Sequence, residues 1–96
     1  MNISTVSNTV NISGNIKSIN DFQTIKTTID SLKGNHKALI IHIVDSISIT
    51  SSVIGYLNKI TLKDGIELKL KVGNKQLIEL FDDLNLSTLF NVQKIS

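Results

Sequence analysis

Ninety-six residues with 41% hydrophobic content predict one domain, residues 1–96, and exclude a disordered tail. The net charge of +2 is small, all ten basic residues are Lys, and aromatic residues are few, so we expect no nucleic-acid partner. The absence of Cys excludes disulfides and thiolate metal sites, and no leader or apolar run of about 18 residues is present, so we expect a cytoplasmic protein without membrane insertion.

The first third of the chain predicts a hairpin followed by a helix. Residues 3–6 and 9–12 are short β-type runs, and Ser7-Asn8 between them suits a turn. A helix is expected over residues 19–32, with Ser18 as its cap, Asp21 completing a capping box and Gly34 at a left-handed stop position. Apolar residues recur along it at helical spacing: Ile19, Phe22, Ile25, Ile29 and Leu32.

The middle of the chain runs from an apolar strand through a polar loop into a helix. Residues 38–44 are nearly all aliphatic, which predicts a strand buried on both faces. Residues 45–50 form a hydroxyl-rich loop, in which Ile47 and Ile49 either extend the strand or tuck under the sheet. A helix capped by Ser51 or Ser52 then runs to about residue 62.

The last third predicts a strand, a helix and a short strand. Residues 66–72 alternate apolar and polar side chains, which is typical of a strand with one wet face. A helix over residues 75–84 ends at Asn85, and residues 92–95 suit a last short strand. The core side of that helix is expected to carry Leu77, Ile78, Phe81 and Leu84. The order of elements predicts an α/β fold, a mixed sheet of four to five strands with about three helices packed on it.

Residues 50–55, Thr-Ser-Ser-Val-Ile-Gly, carry a family resemblance. Together with the strand before them and the stretches 65–72 and 77–90, they resemble the STAS domain of anti-sigma factor antagonists, whose signature runs from a strand to Asp-Ser-Ser-Gly-Leu-Gly and a helix. Thr50 stands in place of the signature's aspartate and Val53 in place of its first glycine. The resemblance implies a STAS-like fold, and since the sequence stops at Ser96, we expect the family's terminal helix to be missing.

The resemblance implies that Ser51 is a phosphorylation site, with Ser52 and Thr50 as alternatives. Phosphate there would add negative charge at a helix N-terminus, while the simpler interpretation is that these hydroxyls only cap the helix. Asp45 either supplies the missing charge or caps a turn. We expect the partner-binding residues to be Asp45, Thr50, Ser51, Ser52, Val53, Ile54 and Tyr56.

Other polar or special residues suggest structural roles. His42 in the apolar strand is expected to be a satisfied histidine, since no metal partners or catalytic triad accompany it. Gly55 inside a helix suggests close packing of that helix on the sheet. We expect no metal, no cofactor and no catalytic residue.

Two functions remain open. The first is a non-enzymatic bacterial signalling module in transcription regulation, a cytoplasmic phosphoprotein whose partner, in the resembling family, is an anti-sigma factor that is also a serine kinase. The alternative is a STAS-type structural adaptor subunit of a lipid or anion transport complex, without phosphorylation.

Overall fold

The computed structural model of the chain describes residues 1–95 and contains five strands and three helices. The strands are β1 (Asn2–Val6), β2 (Thr9–Ser13), β3 (Ala38–Ile43), β4 (Glu67–Val72) and β5 (Gln93–Lys94). The helices are α1 (Ile19–Lys33), α2 (Ser51–Leu62) and α3 (Lys75–Asp83). The predicted α/β fold, with its hairpin and its short last strand, is therefore confirmed.

The strands form one mixed sheet in sequence order, β1-β2-β3-β4-β5. β1 and β2 are antiparallel, and every later neighbour is parallel. The parallel strands β2 to β5 lie in the sheet in the same order as in the chain. Because the connections between parallel strands are right-handed, α1, α2 and α3 all lie on the same face of the sheet. That face holds the core side chains of the sheet: Val10, Ile12, Leu39, Ile41, Ile43, Leu68, Leu70 and Val72.

Within residues 1–95, no helix lies on the opposite face of the sheet, which corrects the prediction that β3 is buried on both faces. Leu39, Ile41 and Ile43 are buried, but the residues that alternate with them, Ile40 and His42, are only half-buried. The uncovered side of the strand thus still carries the aliphatic Ile40 beside His42. The alternation predicted for β4 is confirmed, since its Glu67 and Lys69 are exposed.

The ends of α1 and α3 confirm one prediction and correct others. At the start of α1, Ser18 accepts a hydrogen bond from the Asp21 amide, and the Asp21 carboxylate accepts one from the Ser18 amide, so the capping box is confirmed. Gly34 is right-handed (φ −68°, ψ −27°), and the left-handed stop predicted for it is wrong. Leu84 was expected in the core but is exposed, because it lies just beyond the end of α3. None of the helices within residues 1–95 has the length and apolar character that crossing a membrane requires.

Candidate functional site

The site forms where β2 and β3 end, because parallel neighbouring strands deliver their carboxyl ends to the same edge of the sheet. Here the loop after β3 is hydrogen-bonded to the loop after β2. The Asp45 carboxylate accepts the Gly14 amide at 2.7 Å. The Ser46 hydroxyl donates to the Gly14 carbonyl at 2.5 Å and accepts from the Ile16 amide at 3.2 Å. Asp45 therefore joins two loops, whereas the sequence suggested a local turn or a substitute charge.

Two further bonds complete this connection between the loops. The Ile47 amide donates to the Asn15 side chain at 3.1 Å, and the Ser48 hydroxyl donates to the Ile16 carbonyl at 3.1 Å. Ser46 is fully buried, while Ile47 is 55% exposed and Ile49 is only partly buried against the core. The serines of this segment thus point inward and satisfy backbone groups, which leaves Ile47 on the surface.

The N-cap of α2 is Thr50, and the prediction of Ser51 or Ser52 is wrong. Thr50 has extended dihedrals (φ −91°, ψ 154°), and its Oγ1 accepts the Val53 amide at 3.3 Å. Its carbonyl also accepts the first helical bond, from the Ile54 amide at 3.1 Å. Ser51 already lies inside the helix, so its hydroxyl has no capping role.

Ser51 and Ser52 are therefore exposed side chains at the first turn of α2. Among residues 1–95, neither hydroxyl has a hydrogen-bond partner, and the backbone amides of the two residues have no acceptor. The first turn contains no acidic residue. Free amides and the positive end of the helix dipole together favour a negative charge at this point.

Two residues expected to contact a partner are instead buried. Val53 and Tyr56 face the core together with Leu57 and Ile60, because positions three and four apart share one side of a helix. Ile54 is half-buried. Val53 and Tyr56 therefore do not belong to the partner surface, which corrects the prediction.

Gly55 lies on the exposed side of α2, and the close packing predicted for it is wrong. It follows Ser51 by one helical turn, so the two positions are neighbours on the helix surface. A Cβ built at Gly55 would have nothing within 4 Å. No contact within the described part of the chain accounts for a glycine at this position.

Tyr56 belongs to a polar network that the sequence did not predict. Its hydroxyl donates to Asp30 Oδ1 at 2.5 Å, and Lys26 and Lys33 approach the same carboxylate at 2.9 and 3.3 Å. Lys33 also contacts Asp64 at 2.9 Å, which links α1 to the turn that follows α2. The spacing of Lys26 and Asp30 suits a pair within a helix, but their contact with Tyr56 depends on how α1 and α2 pack.

The ionisation of this network follows from its contacts. Burial by itself would raise the pKa of Asp30, but the hydrogen bonds from Tyr56, Lys26 and Lys33 outweigh it and lower that pKa to about 2. Burial, followed by the bond to Asp30, raises the pKa of Tyr56 above its ordinary value. The network thus holds Asp30 charged and Tyr56 neutral, which suits a structural tie between helices.

A notch of about 120 Å³ separates the starts of α1 and α2. Lys17, Ser18, Ile19 and Phe22 line one side of this α1–α2 notch, and Thr50 and Ser52 line the other. Ile19 was expected on the core face of α1 but is 78% exposed, since it is the first residue of the helix and lies beyond the core. The notch therefore combines an exposed aliphatic side chain with exposed hydroxyls, a grouping that helical periodicity did not reveal.

The two remaining features are His42 and the acidic residues. His42 Nδ1 lies 3.1 Å from the Asn11 side-chain oxygen on the uncovered face of the sheet, in agreement with a satisfied histidine. Within residues 1–95, no group of three or more His, Cys, Asp or Glu side chains is placed to hold a metal ion.

No family model, curated protein or solved structure matches this chain significantly. The resemblance to the STAS domain therefore depends on the sequence pattern around Ser51 and on the order of the elements.

Proposed function

We propose that this protein is a non-enzymatic bacterial signalling module of the anti-sigma factor antagonist type. It binds a protein partner through the first turns of α2 and the α1–α2 notch, and phosphorylation of Ser51 releases the partner. The observation that carries the proposal is that Thr50 caps α2. Because Ser51 is not needed as the cap, its exposed hydroxyl is free for modification without loss of the helix start.

A phosphate on Ser51 would act through charge at the surface and not through a change of fold. It carries close to two negative charges at neutral pH, and the free amides of the first turn and the helix dipole would stabilise it. Ile19 lines the α1–α2 notch opposite Thr50 and Ser52, and Ile47 lies in the loop that leads into α2; both are exposed aliphatic side chains. A partner that covers such apolar side chains would have to bury the phosphate beside them, which is strongly unfavourable.

Gly55 supports an external contact on the same side of α2. Glycine inside a helix costs about 1 kcal/mol relative to alanine. No contact within the described residues requires a glycine here, since a Cβ would have no atom within 4 Å. A partner that approaches the backbone closely beside Ser51 requires a residue without a side chain at this position.

The partner class follows from the resemblance. In the anti-sigma factor antagonists, the unphosphorylated protein binds a serine kinase that also sequesters a sigma factor, and the kinase phosphorylates the antagonist. The proposed module accordingly works in the cytoplasm, where it contributes to signal transduction and transcription regulation. Ser52 and Thr50 are the alternative acceptors.

The test combines phosphosite mapping with binding measurements. The protein is recovered from its native cell with its partner, and mass spectrometry locates phosphate on residues 50–52. Affinity for that partner is then measured for Ser51→Asp, Ser51→Ala and Gln76→Glu, the last an exposed charge control on α3. We expect Ser51→Asp to bind at least about tenfold more weakly, while Ser51→Ala and Gln76→Glu bind as the wild type does.

The opposite result selects the alternative function. If Ser51→Asp binds as tightly as the wild type and residues 50–52 carry no phosphate, the switch is rejected. The same surface would then serve the structural adaptor of a transport complex. Gly55→Ala tests the binding surface itself. Whether the protein is a switch or an adaptor, this change should weaken partner binding.

A further inference from the structure

The two edges of the sheet differ in how well they are protected. β5 pairs with β4 over only two residues, and a very short edge strand offers little to an incoming strand. β1 is five residues long and four of them are exposed. Its sequence, Asn-Ile-Ser-Thr-Val, contains no charge and no proline, and its register with β2 runs without a bulge. β1 therefore lacks the devices that usually keep an edge strand from pairing.

The hairpin geometry identifies which backbone groups of β1 face outward. Ser7 and Asn8 form a two-residue turn, and Val6 pairs with Thr9 beside it. A pair that closes a two-residue turn is a hydrogen-bonded pair, and hydrogen-bonded and non-hydrogen-bonded pairs alternate along an antiparallel ladder. The backbone groups of Ile3 and Thr5 therefore point away from β2, which leaves two donors and two acceptors on the free edge.

We propose that the β1 edge binds the β1 edge of a second copy of this chain. The two strands run antiparallel about a two-fold axis at Ser4, which joins the two sheets into one continuous sheet. Ile3 of each copy then pairs with Thr5 of the other, and these two pairs use all the outward backbone groups. The occupant is a second copy because an uncharged strand meets no like charge when it faces itself.

The side chains on both faces of β1 fit this arrangement. Ile3 shares a face with Ile12 and is partly buried against the core, so Thr5 of the second copy, which pairs with it, would cover more of its side chain. Val6 is 68% exposed on the other face, where it would lie opposite Asn2 of the second copy. The interface is small, so the dimer should be weak and concentration-dependent. It does not include Ser51, and it stands whether or not the switch does.

The central pair of serines provides the sharpest test. Ser4 is exposed, and its side chain would face the same side chain of the second copy. Ser4→Lys and Ser4→Glu each place like charges at the axis and should raise the dimer dissociation constant at least about tenfold. An equimolar mixture of the two variants should restore dimerisation. Gln76→Lys and Gln76→Glu, exposed on α3, are the matched controls and should dimerise as the wild type does.

A second variant tests the backbone directly. Thr5→Pro removes an outward amide but none of the hairpin's own hydrogen bonds, and proline is accepted on an edge strand whose amide faces solvent. We expect it to reduce dimerisation and to keep the far-UV circular dichroism spectrum of the wild type.

Sedimentation equilibrium from about 10 µM to about 1 mM, the range in which a small interface associates, measures all of these variants. The proposal is overturned if the wild type stays monomeric throughout. It is equally overturned if the Ser4 variants associate as the wild type does, or if their mixture is no heavier than either alone.

Discussion

Replacing Thr50 by alanine should destabilise the protein, whereas the same change at Ser51 should not. Thr50→Ala removes the acceptor of the Val53 amide, and loss of an N-cap costs about 0.5–2 kcal/mol. The bond is 3.3 Å long and half-buried, slightly beyond the usual range, so we expect about 1 kcal/mol. Ser51→Ala breaks none of the hydrogen bonds found within residues 1–95 and introduces a good helix former, so its effect should stay within about 0.5 kcal/mol.

Urea unfolding followed by circular dichroism measures this difference. For a chain of this size, with a slope of about 1–1.5 kcal/mol per molar, Thr50→Ala should lower the midpoint by about 0.7–1 M. Thr50→Ser keeps the capping oxygen and serves as the matched control, with a midpoint close to that of the wild type. If Ser51→Ala lowers the midpoint and Thr50→Ala does not, Ser51 is the cap. The free hydroxyl on which the proposed switch depends would then be lost.

Three further predictions concern the fold. Ser46→Ala leaves two backbone groups without their partner, one of them buried, and should cost about 2–4 kcal/mol in urea unfolding; an unchanged midpoint would show that water replaces the hydroxyl. Since the pKa of Asp30 is lowered to about 2, its contribution to stability is present above its unfolded pKa and is lost as the pH falls from about 4 to 2. Tyr56→Phe should raise that pKa, measured by NMR titration of the carboxyl, and a titration unaltered by the change would argue against the bond. Ile41→Ala should cost about 2–5 kcal/mol because the side chain is fully buried. Lys69→Ala on the uncovered face should be nearly neutral. Equal urea midpoints for the two variants would contradict the assignment of the two faces.

Local interactions made several features predictable from the sequence. The alternation along β4 and the capping box of Ser18 and Asp21 each depend on residues a few positions apart, so the pattern is visible in the chain itself. The order of strands and helices, combined with the handedness of crossovers, is sufficient for a mixed α/β sheet. The sequence also located the hydroxyl cluster at residues 50–52 at the start of a helix.

Which hydroxyl of that cluster caps α2 was decided only by the tertiary structure. Several hydroxyls in a row suit a cap equally well, and the residue that serves is the one at which the backbone turns from extended to helical. The loop dihedrals before α2 decide this point, and they place Thr50 there and leave Ser51 exposed. Ile19 has the spacing of a core residue and yet is exposed, because periodicity describes the direction of a side chain and not where the core ends.

Contacts between distant residues were decided only by the tertiary structure. Ser46 was one hydroxyl among several in the sequence, and it became the buried link to a loop about thirty residues earlier. Gly73 is required because a Cβ there would overlap the carbonyl oxygen of Val44, just past the end of the neighbouring strand β3. The aliphatic run of β3 predicted two covered faces, and one is open because every crossover returns on the same side of the sheet. Sequence patterns report the preferences of single elements, whereas the packing of those elements determines which surfaces remain for a partner.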